Sequence, residues 1–173
     1  MSKGKQDDRL YSKGDEIVHT NYGVGEIIDI EKKELEGKTT LYYVVKTKDS
    51  TFWMPVEKAD ADRIRLVVSS KTIEDDVIKV MGGKPQEMAE HYKSRRKSIR
   101  DAEHDGDIIS TAELVRDLSY RRAVDRLNTT ERRGLNKLKN RLVTEWSTSM
   151  DISPNKVRVK INKILQRHHQ DVV

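Results

Sequence analysis

The spacing of apolar residues changes once along the chain, near Ser69. Before that point, short stretches rich in β-branched and aromatic residues are separated by turns. This pattern predicts strands at residues 16 to 19, 24 to 30, 39 to 47 and 51 to 56, with a fifth at 63 to 68. Four or five short strands in about 60 residues suit a small barrel. Residues 9 to 68 are therefore predicted to form an SH3-like or Tudor-like β-barrel.

After Ser69 the apolar residues recur about every 3.6 positions, which predicts helices. A short first helix has an apolar face that begins at Ile73 and should end at Gly82 and Gly83. A second helix should open at Pro85, because proline is tolerated in a first turn. This helix is expected to continue to Gly106.

Three further helix starts carry capping residues. Ser110 to Glu113 is typical of a capping box for the third helix, and Asn128 to Glu131 for the fourth. The fifth should begin at Ser153 and Pro154. Residues 69 to 173 are thus predicted to form a compact bundle of about five α-helices, which makes the chain an α+β protein. Residues 1 to 8 are expected to be a flexible tail.

The composition excludes several classes of protein. Hydrophobic residues make up 35% of the chain and charged residues 36%. No stretch approaches the roughly 20 apolar residues of a membrane helix, and the start lacks the apolar stretch of a signal peptide. The absence of cysteine excludes disulfides and thiolate metal sites. We expect a soluble, cytoplasmic protein with no membrane partner.

The net charge of +5 is unevenly distributed. Residues 1 to 66 carry 12 basic and 13 acidic side chains, whereas residues 67 to 173 carry 22 basic and 16 acidic ones. A polyanion would therefore meet the C-terminal part of the chain. Mild basicity is also common in soluble proteins, so the charge balance alone does not identify nucleic acid as the partner.

Signals for catalysis or metal binding are weak. Gly37-Lys38-Thr39 copies the end of a phosphate-binding loop, but that loop needs glycine at the position of Lys32 and should open a helix. His168 and His169 are the one close histidine pair, and neighbouring residues point to different sides of a helix. We expect no enzyme activity, no metal and no cofactor.

Residues 91 to 100 form a basic segment without an acidic residue. On a helix, Tyr92, Arg95, Arg96 and Ile99 share one face. A planar ring set among cations suits the DNA minor groove. The alternative is a solvated face with Tyr92 in the core. Further cations follow in the third and fourth helices, namely Arg116, Arg121, Arg122, Arg126, Arg132, Arg133, Lys137, Lys139 and Arg141.

Several motifs together resemble a known family. They are Gly14-Asp15-Glu16-Ile17-Val18-His19, Tyr22-Gly23-Val24-Gly25, Tyr42-Tyr43-Val44-Val45, Met54-Pro55-Val56, Gly106-Asp107 and Val115-Arg116-Asp117-Leu118. In order, spacing and layout they resemble the bacterial CarD/CdnL transcription regulators, whose polymerase-interacting module also occurs in transcription-repair coupling factors. The resemblance covers nearly the whole chain.

The resemblance implies that the barrel docks on the β subunit of RNA polymerase, partly by strand pairing. Lys33 occupies one position where the family carries a basic residue, with Leu35 beside it. Trp53 occupies a second such position, which replaces an ion pair with aromatic contact. Either Phe52 or Trp53 should face outward, because neighbours in a strand point to opposite sides.

The resemblance also implies that the helical part contacts promoter DNA at the upstream edge of the transcription bubble. Tyr92 takes the place of a family tryptophan that enters the minor groove, whereas Trp146 is expected in the core. The side chains expected to hold the DNA backbone are Lys93, Arg95, Arg96, Lys97 and Arg132.

The favoured hypothesis is a monomeric, non-catalytic transcription factor that stabilises the open promoter complex with little sequence specificity. It would join the nucleoid through RNA polymerase. One alternative is a helix-turn-helix repressor, which would need dimerisation and would read an operator with the third and fourth helices. Another is an RNA-binding barrel, but Tyr42 and Tyr43 are adjacent and alternate in direction, which disfavours a stacking platform.

Overall fold

The computed structural model describes residues 10–35, 37–59 and 64–170. The expected tail at residues 1 to 8 and the first residue of the predicted fifth strand, Arg63, lie outside the described residues. The chain divides into two compact units between Leu66 and Val67, two residues before the predicted boundary. Each unit has its own hydrophobic core. The predicted α+β class is confirmed.

The first unit is a five-stranded antiparallel sheet with the order β4-β3-β2-β1-β5. Its strands are β1 (Glu16–His19), β2 (Gly23–Leu35), β3 (Lys38–Thr47), β4 (Thr51–Pro55) and β5 (Ile64–Leu66). All five predicted strands are confirmed. Within the described ranges β4 and β5 are the edges, so the sheet is barrel-like without closing through hydrogen bonds.

β2 continues five residues beyond its predicted end at residue 30. The extension pairs residue by residue with β3, from Glu31 opposite Tyr42 to Leu35 opposite Lys38. These added residues are mostly charged, so they lack the apolar alternation that predicts a half-buried strand. Pairing with β3, rather than burial, extends the strand.

The core of the first unit lies on one face of the sheet. It contains Ile17, Ile27, Tyr43, Val45, Met54 and Ala59. Tyr11, ahead of β1, connects this core to β5. Its backbone N–H donates to the Tyr43 hydroxyl at 3.1 Å, and its own hydroxyl donates to the Ile64 carbonyl at 3.2 Å.

Among its described residues, the second unit contains five helices when its first, continuous helical segment is counted once. That segment comprises α1 (Ser70–Thr72), a π-helical turn (Ile73–Val77) and α2 (Ile78–Gly82), and it is followed by α3 (Tyr92–Asp105), α4 (Ile108–Val124), α5 (Thr129–Met150) and α6 (Pro154–Gln170). The first segment ends at the predicted glycine pair. In the described part of the chain, no helix is both long and apolar enough to span a bilayer.

Two predicted helix starts are wrong. The second helix does not open at Pro85, because residues 83 to 91 are not helical and α3 begins at Tyr92. The Gln86 N–H instead donates to the Asp117 carboxylate of α4 at 2.9 Å, and this long-range hydrogen bond prevails over local propensity. The third helix starts at Ile108, where the Asp107 carboxylate accepts from the Ser110 N–H at 2.7 Å.

The remaining two starts are confirmed. Asn128 and Glu131 form the complete capping box at α5, and α6 begins at Pro154 after Ser153. Trp146 is fully buried in the core of the second unit, as expected. A notable close approach joins α3 to α5 at Gly134, where a methyl group would lie 2.5 Å from Ile99 Cγ2.

Candidate functional site

Four side chains from three adjacent strands meet on the sheet face opposite the core, and we call them the outer-face cluster: Glu31, Lys33, Tyr42 and Trp53. The Trp53 indole N–H donates to the Glu31 carboxylate at 2.9 Å. The Lys33 ammonium lies 3.8 Å from the same carboxylate and 4.0 Å from the Trp53 ring centroid. It is 5.9 Å from the Tyr42 ring centroid. Cation–π attraction and the ion pair thus fix Lys33 against Trp53.

Trp53 is the most prominent member of this cluster. It is 45% exposed, whereas Phe52 packs against the core, so the prediction that one of the two faces outward is confirmed. Val44 lies opposite Trp53 in the register and is only 4% exposed, although it is not part of the core. A buried apolar residue therefore lies next to Trp53 in the register of the described sheet.

The cluster joins two of the three predicted polymerase-binding residues, Lys33 and Trp53. The side chain of Leu35, the third, lies outside the described residues. Sequence reasoning missed Glu31, which orients both Lys33 and Trp53. The signal was its two-residue spacing from Lys33, because residues i and i+2 of a strand share a face.

The second candidate site is the start of α3. Tyr92 is the first residue of that helix and is 39% exposed. Tyr92 borders an open pocket of about 410 Å³ whose other lining residues are Asn128, Thr129 and Thr130, at the start of α5. The sequence predicted these three residues as a helix cap and missed their position beside Tyr92.

The start of α3 carries basic side chains and has no acidic residue in its first turn to balance them. The helix has no side-chain N-cap and no acidic residue in its first turn, whereas Asp107 caps α4 and Asn128 caps α5. Cations oppose the helix dipole at this end. The exposed side chains with no ion-pair partner among the described residues are Lys93, Arg96 and Lys97. Such an arrangement attracts anions.

Arg132 lies beside the same pocket, in the first turn of α5. Its side chain is exposed, and one guanidinium nitrogen is 3.5 Å from the Thr129 hydroxyl. Tyr92, Lys93, Arg96, Lys97 and Arg132 therefore occupy the starts of two helices that border one pocket.

Arg95 has a different position from the one expected for a DNA contact. It is 7% exposed, and its guanidinium is bonded to the Glu131 carboxylate and to the carbonyls of Ala89 and Glu90. Helical periodicity places Arg95 on the same buried stripe as Ile99. We therefore remove Arg95 from the candidate DNA contacts.

Several of the cations predicted for the third and fourth helices are also engaged within the bundle. Arg116, Arg121 and Lys137 form ion pairs with Asp117, Asp125 and Glu103, respectively. Arg141 donates to the Glu103 carbonyl, and burial lowers the pKa of this arginine although Glu103 partly opposes the shift. The helices therefore do not present one continuous cationic face.

Lys139 is a partly buried cation near other cations. Burial lowers the pKa of Lys139 first, and Arg122 and Arg158 lower it further. Its ammonium donates to Asn162 at 2.7 Å. No group of three or more histidine or carboxylate side chains suited to a metal ion occurs in the described ranges.

Two family models match this chain. Residues 76–162 match the family model described as "CarD, C-terminal domain", and residues 11–68 match "CarD-like/TRCF RID domain". The chain belongs to the CarD-like family. The resemblance noted in the sequence is confirmed, and the protein is a transcription regulator whose first unit is an RNA polymerase-interacting domain.

One relative supports the same assignment. The Bacillus subtilis (strain 168) protein "Putative transcription factor YdeB" is 27% identical over 151 residues, which cover 86% of this chain and 98% of YdeB. The similarity therefore extends through both units of this CarD-like protein.

Proposed function

We propose that this CarD-like protein is a non-catalytic factor that binds the polymerase β subunit with its first unit and promoter DNA with its second. By this contact it stabilises the open promoter complex. The observation that carries the DNA role is the exposed ring of Tyr92 at the uncapped, cation-rich start of α3. The outer-face cluster is the proposed polymerase contact.

The geometry of the outer-face cluster supports a contact carried mainly by Trp53. Lys33 is already paired with Glu31 and stacked on Trp53, so less of its charge is available to acidic groups of a partner. Trp53 offers a large aromatic surface on the edge strand β4, where an incoming strand could pair. We expect Leu35 to adjoin this surface.

The start of α3 supports contact with the minor groove. Tyr92 can act as the wedge between base steps, with Lys93, Arg96, Lys97 and Arg132 neutralising phosphates on either side. Phosphate contacts carry no base information and the minor groove carries little, so we expect weak sequence specificity. The polymerase, rather than the DNA sequence, selects the promoters.

The mechanism is a shift of equilibrium. If Tyr92 interacts better with the melted junction than with closed duplex, binding favours the open complex by that difference in affinity. Tethering to polymerase raises the effective concentration of the second unit near DNA, so weak intrinsic affinity is sufficient. One copy per polymerase meets this need, and we expect a monomer.

Footprinting on promoter DNA, with and without polymerase, tests this proposal. We expect almost no protection of naked DNA and new protection at the upstream edge of the bubble when polymerase is present. The charge variant Arg132→Ala should weaken that protection, whereas Arg167→Ala, exposed on α6, should not. A discrete footprint on naked DNA would instead favour an operator-reading repressor.

A second experiment tests recruitment. The Trp53→Ala variant should lose most binding to isolated β subunit, whereas Val159→Ala, an exposed change on α6, should retain it. Full retention by Trp53→Ala would show that the outer-face cluster is not the contact.

A further inference from the structure

A buried ion pair joins α3 to the first turn of α5. Arg95 Nε lies 2.5 Å from Glu131 Oε1, and the two side chains are 8% and 1% exposed. The same guanidinium donates through Nη1 to the carbonyls of Ala89 and Glu90, at 2.8 and 2.5 Å. One side chain therefore connects three backbone regions, namely the segment before α3, α3 itself and the start of α5.

Glu131 also belongs to the capping box of α5. Its second carboxylate oxygen accepts from the Asn128 N–H at 2.9 Å, and the Asn128 side chain accepts from the Glu131 N–H at 3.0 Å. The carboxylate that holds Arg95 thus also fixes the turn that lines the pocket beside Tyr92.

In the chain, Tyr92 lies between Arg95 and the backbone carbonyls that Arg95 binds. Glu90 is two residues before it and Arg95 is three residues after it, and both are held by the same guanidinium. The residue at the N-cap, His91, makes no side-chain cap hydrogen bond. The bonds of Arg95 to the preceding carbonyls therefore help to fix the start of α3, together with the bond from the Gln86 N–H to the Asp117 carboxylate.

We propose that Arg95 and Glu131 are positioning residues for Tyr92. They hold the Tyr92 ring beside the start of α5, so that the ring reaches DNA already ordered. The role of Tyr92 on DNA rests on the proposed function. The ordering of the Tyr92 ring by Arg95 and Glu131 is independent of that function.

The chemistry of the pair favours positioning over simple stabilisation. A buried ion pair is often no more stabilising than apolar residues of similar volume. What distinguishes an arginine pair from apolar residues is its fixed hydrogen-bond geometry, because the planar guanidinium presents its donors in a rigid fork. Here that fork meets one carboxylate and two carbonyls at once.

The test replaces the pair with neutral residues of similar volume. Arg95→Met with Glu131→Gln leaves no unpaired buried charge, and glutamine can keep the capping box. In open-complex lifetime assays, we expect this double variant to match Tyr92→Ala within about twofold. Adding Tyr92→Ala to the double variant should cause no further loss.

Lys97→Ala provides the matched control. This exposed cation forms no hydrogen bond or ion pair with Arg95 or Glu131, so its effect should multiply with that of the double variant. If the double variant keeps the parent lifetime while Tyr92→Ala shortens it, the positioning role is overturned and the DNA role stands.

Fluorine NMR provides a readout that does not need DNA. The chain has six tyrosines, so 3-fluorotyrosine labelling gives six signals, and Tyr92→Phe identifies the one from Tyr92. We expect that signal to shift and narrow in the double variant, because the ring loses its fixed environment. An unchanged signal overturns the proposal, whatever the DNA assays give.

Arg95→Lys offers a milder test should the double variant not fold. Lysine keeps a charge opposite Glu131 but lacks the planar fork that reaches both carbonyls at the same time. We expect the same signal of Tyr92 to shift in this variant too, and an unchanged signal again overturns the proposal.

Discussion

Replacing Gly134 with alanine should test the contact between α3 and α5. The added methyl group would lie 2.5 Å from Ile99 Cγ2, well inside van der Waals contact. Overpacking of this kind costs about 1 to 3 kcal/mol. Alanine regains about 1 kcal/mol of helix propensity at an interior position. We therefore expect a net loss of roughly 1 kcal/mol of unfolding free energy.

A double-mutant cycle separates the clash from other effects. Ile99→Ala alone removes a buried side chain and should cost about 2 to 5 kcal/mol. In Gly134→Ala with Ile99→Ala the clash is gone and the new methyl group fills part of the space. The double variant should thus be more stable than the sum of the single effects by about 1 kcal/mol or more.

Urea unfolding measures these changes in the second unit alone. The chain has two tryptophans, so in a Trp53→Phe background the fluorescence comes from Trp146, which is buried in the helical core. The slope of the unfolding free energy against urea concentration should stay constant across the variants. If Gly134→Ala is as stable as its parent and the cycle is additive, α3 does not approach α5 as closely as described.

Three further predictions concern the first unit and a helix cap. Burial, with help from Tyr43 and Asp15, raises the pKa of the Tyr11 hydroxyl above the ordinary tyrosine value of 10.0. The neutral hydroxyl therefore contributes its full stabilisation below pH 10.0, and this stabilisation is lost as the pH rises through the raised pKa. Tyr11→Phe should remove this alkaline loss in thermal unfolding from pH 8 to 12; an unchanged slope would refute it. Trp53→Ala should weaken β-subunit binding roughly 30-fold, with little salt dependence, whereas Lys33→Ala should have a smaller effect in the same titration; equal losses would contradict this. Asp107→Ala should cost about 1 kcal/mol in urea unfolding, whereas the nearby exposed Asp105→Ala should cost much less, and equal costs would contradict capping.

Local patterns in the sequence predict much of the fold. The change in apolar period marks both units, and the capping box at Asn128 marks the start of α5, because these signals depend on neighbouring residues. The start of α3 could not be predicted in this way. It depends on hydrogen bonds from Arg95 to Ala89 and from Gln86 to Asp117, and the second of these joins residues that are 31 positions apart in the chain.

The candidate sites, too, are predictable from the sequence only where local patterns determine them. The outward position of Trp53 follows from strand alternation, and the exposed cations of α3 follow from composition. The burial of Arg95 does not, because a basic residue in a basic segment is expected in solvent. Its partner Glu131 is fully explained as a capping residue until the tertiary contact is known.

The lifetime of open promoter complexes most directly tests the central claim, that the exposed ring at the start of α3 steadies melted DNA. Parent protein and Tyr92→Ala should be compared at equal occupancy of polymerase, with competitor added to trap released polymerase. The account predicts that the parent lengthens the lifetime and that Tyr92→Ala loses most of this effect while binding polymerase normally. Equal lifetimes at equal occupancy would contradict it.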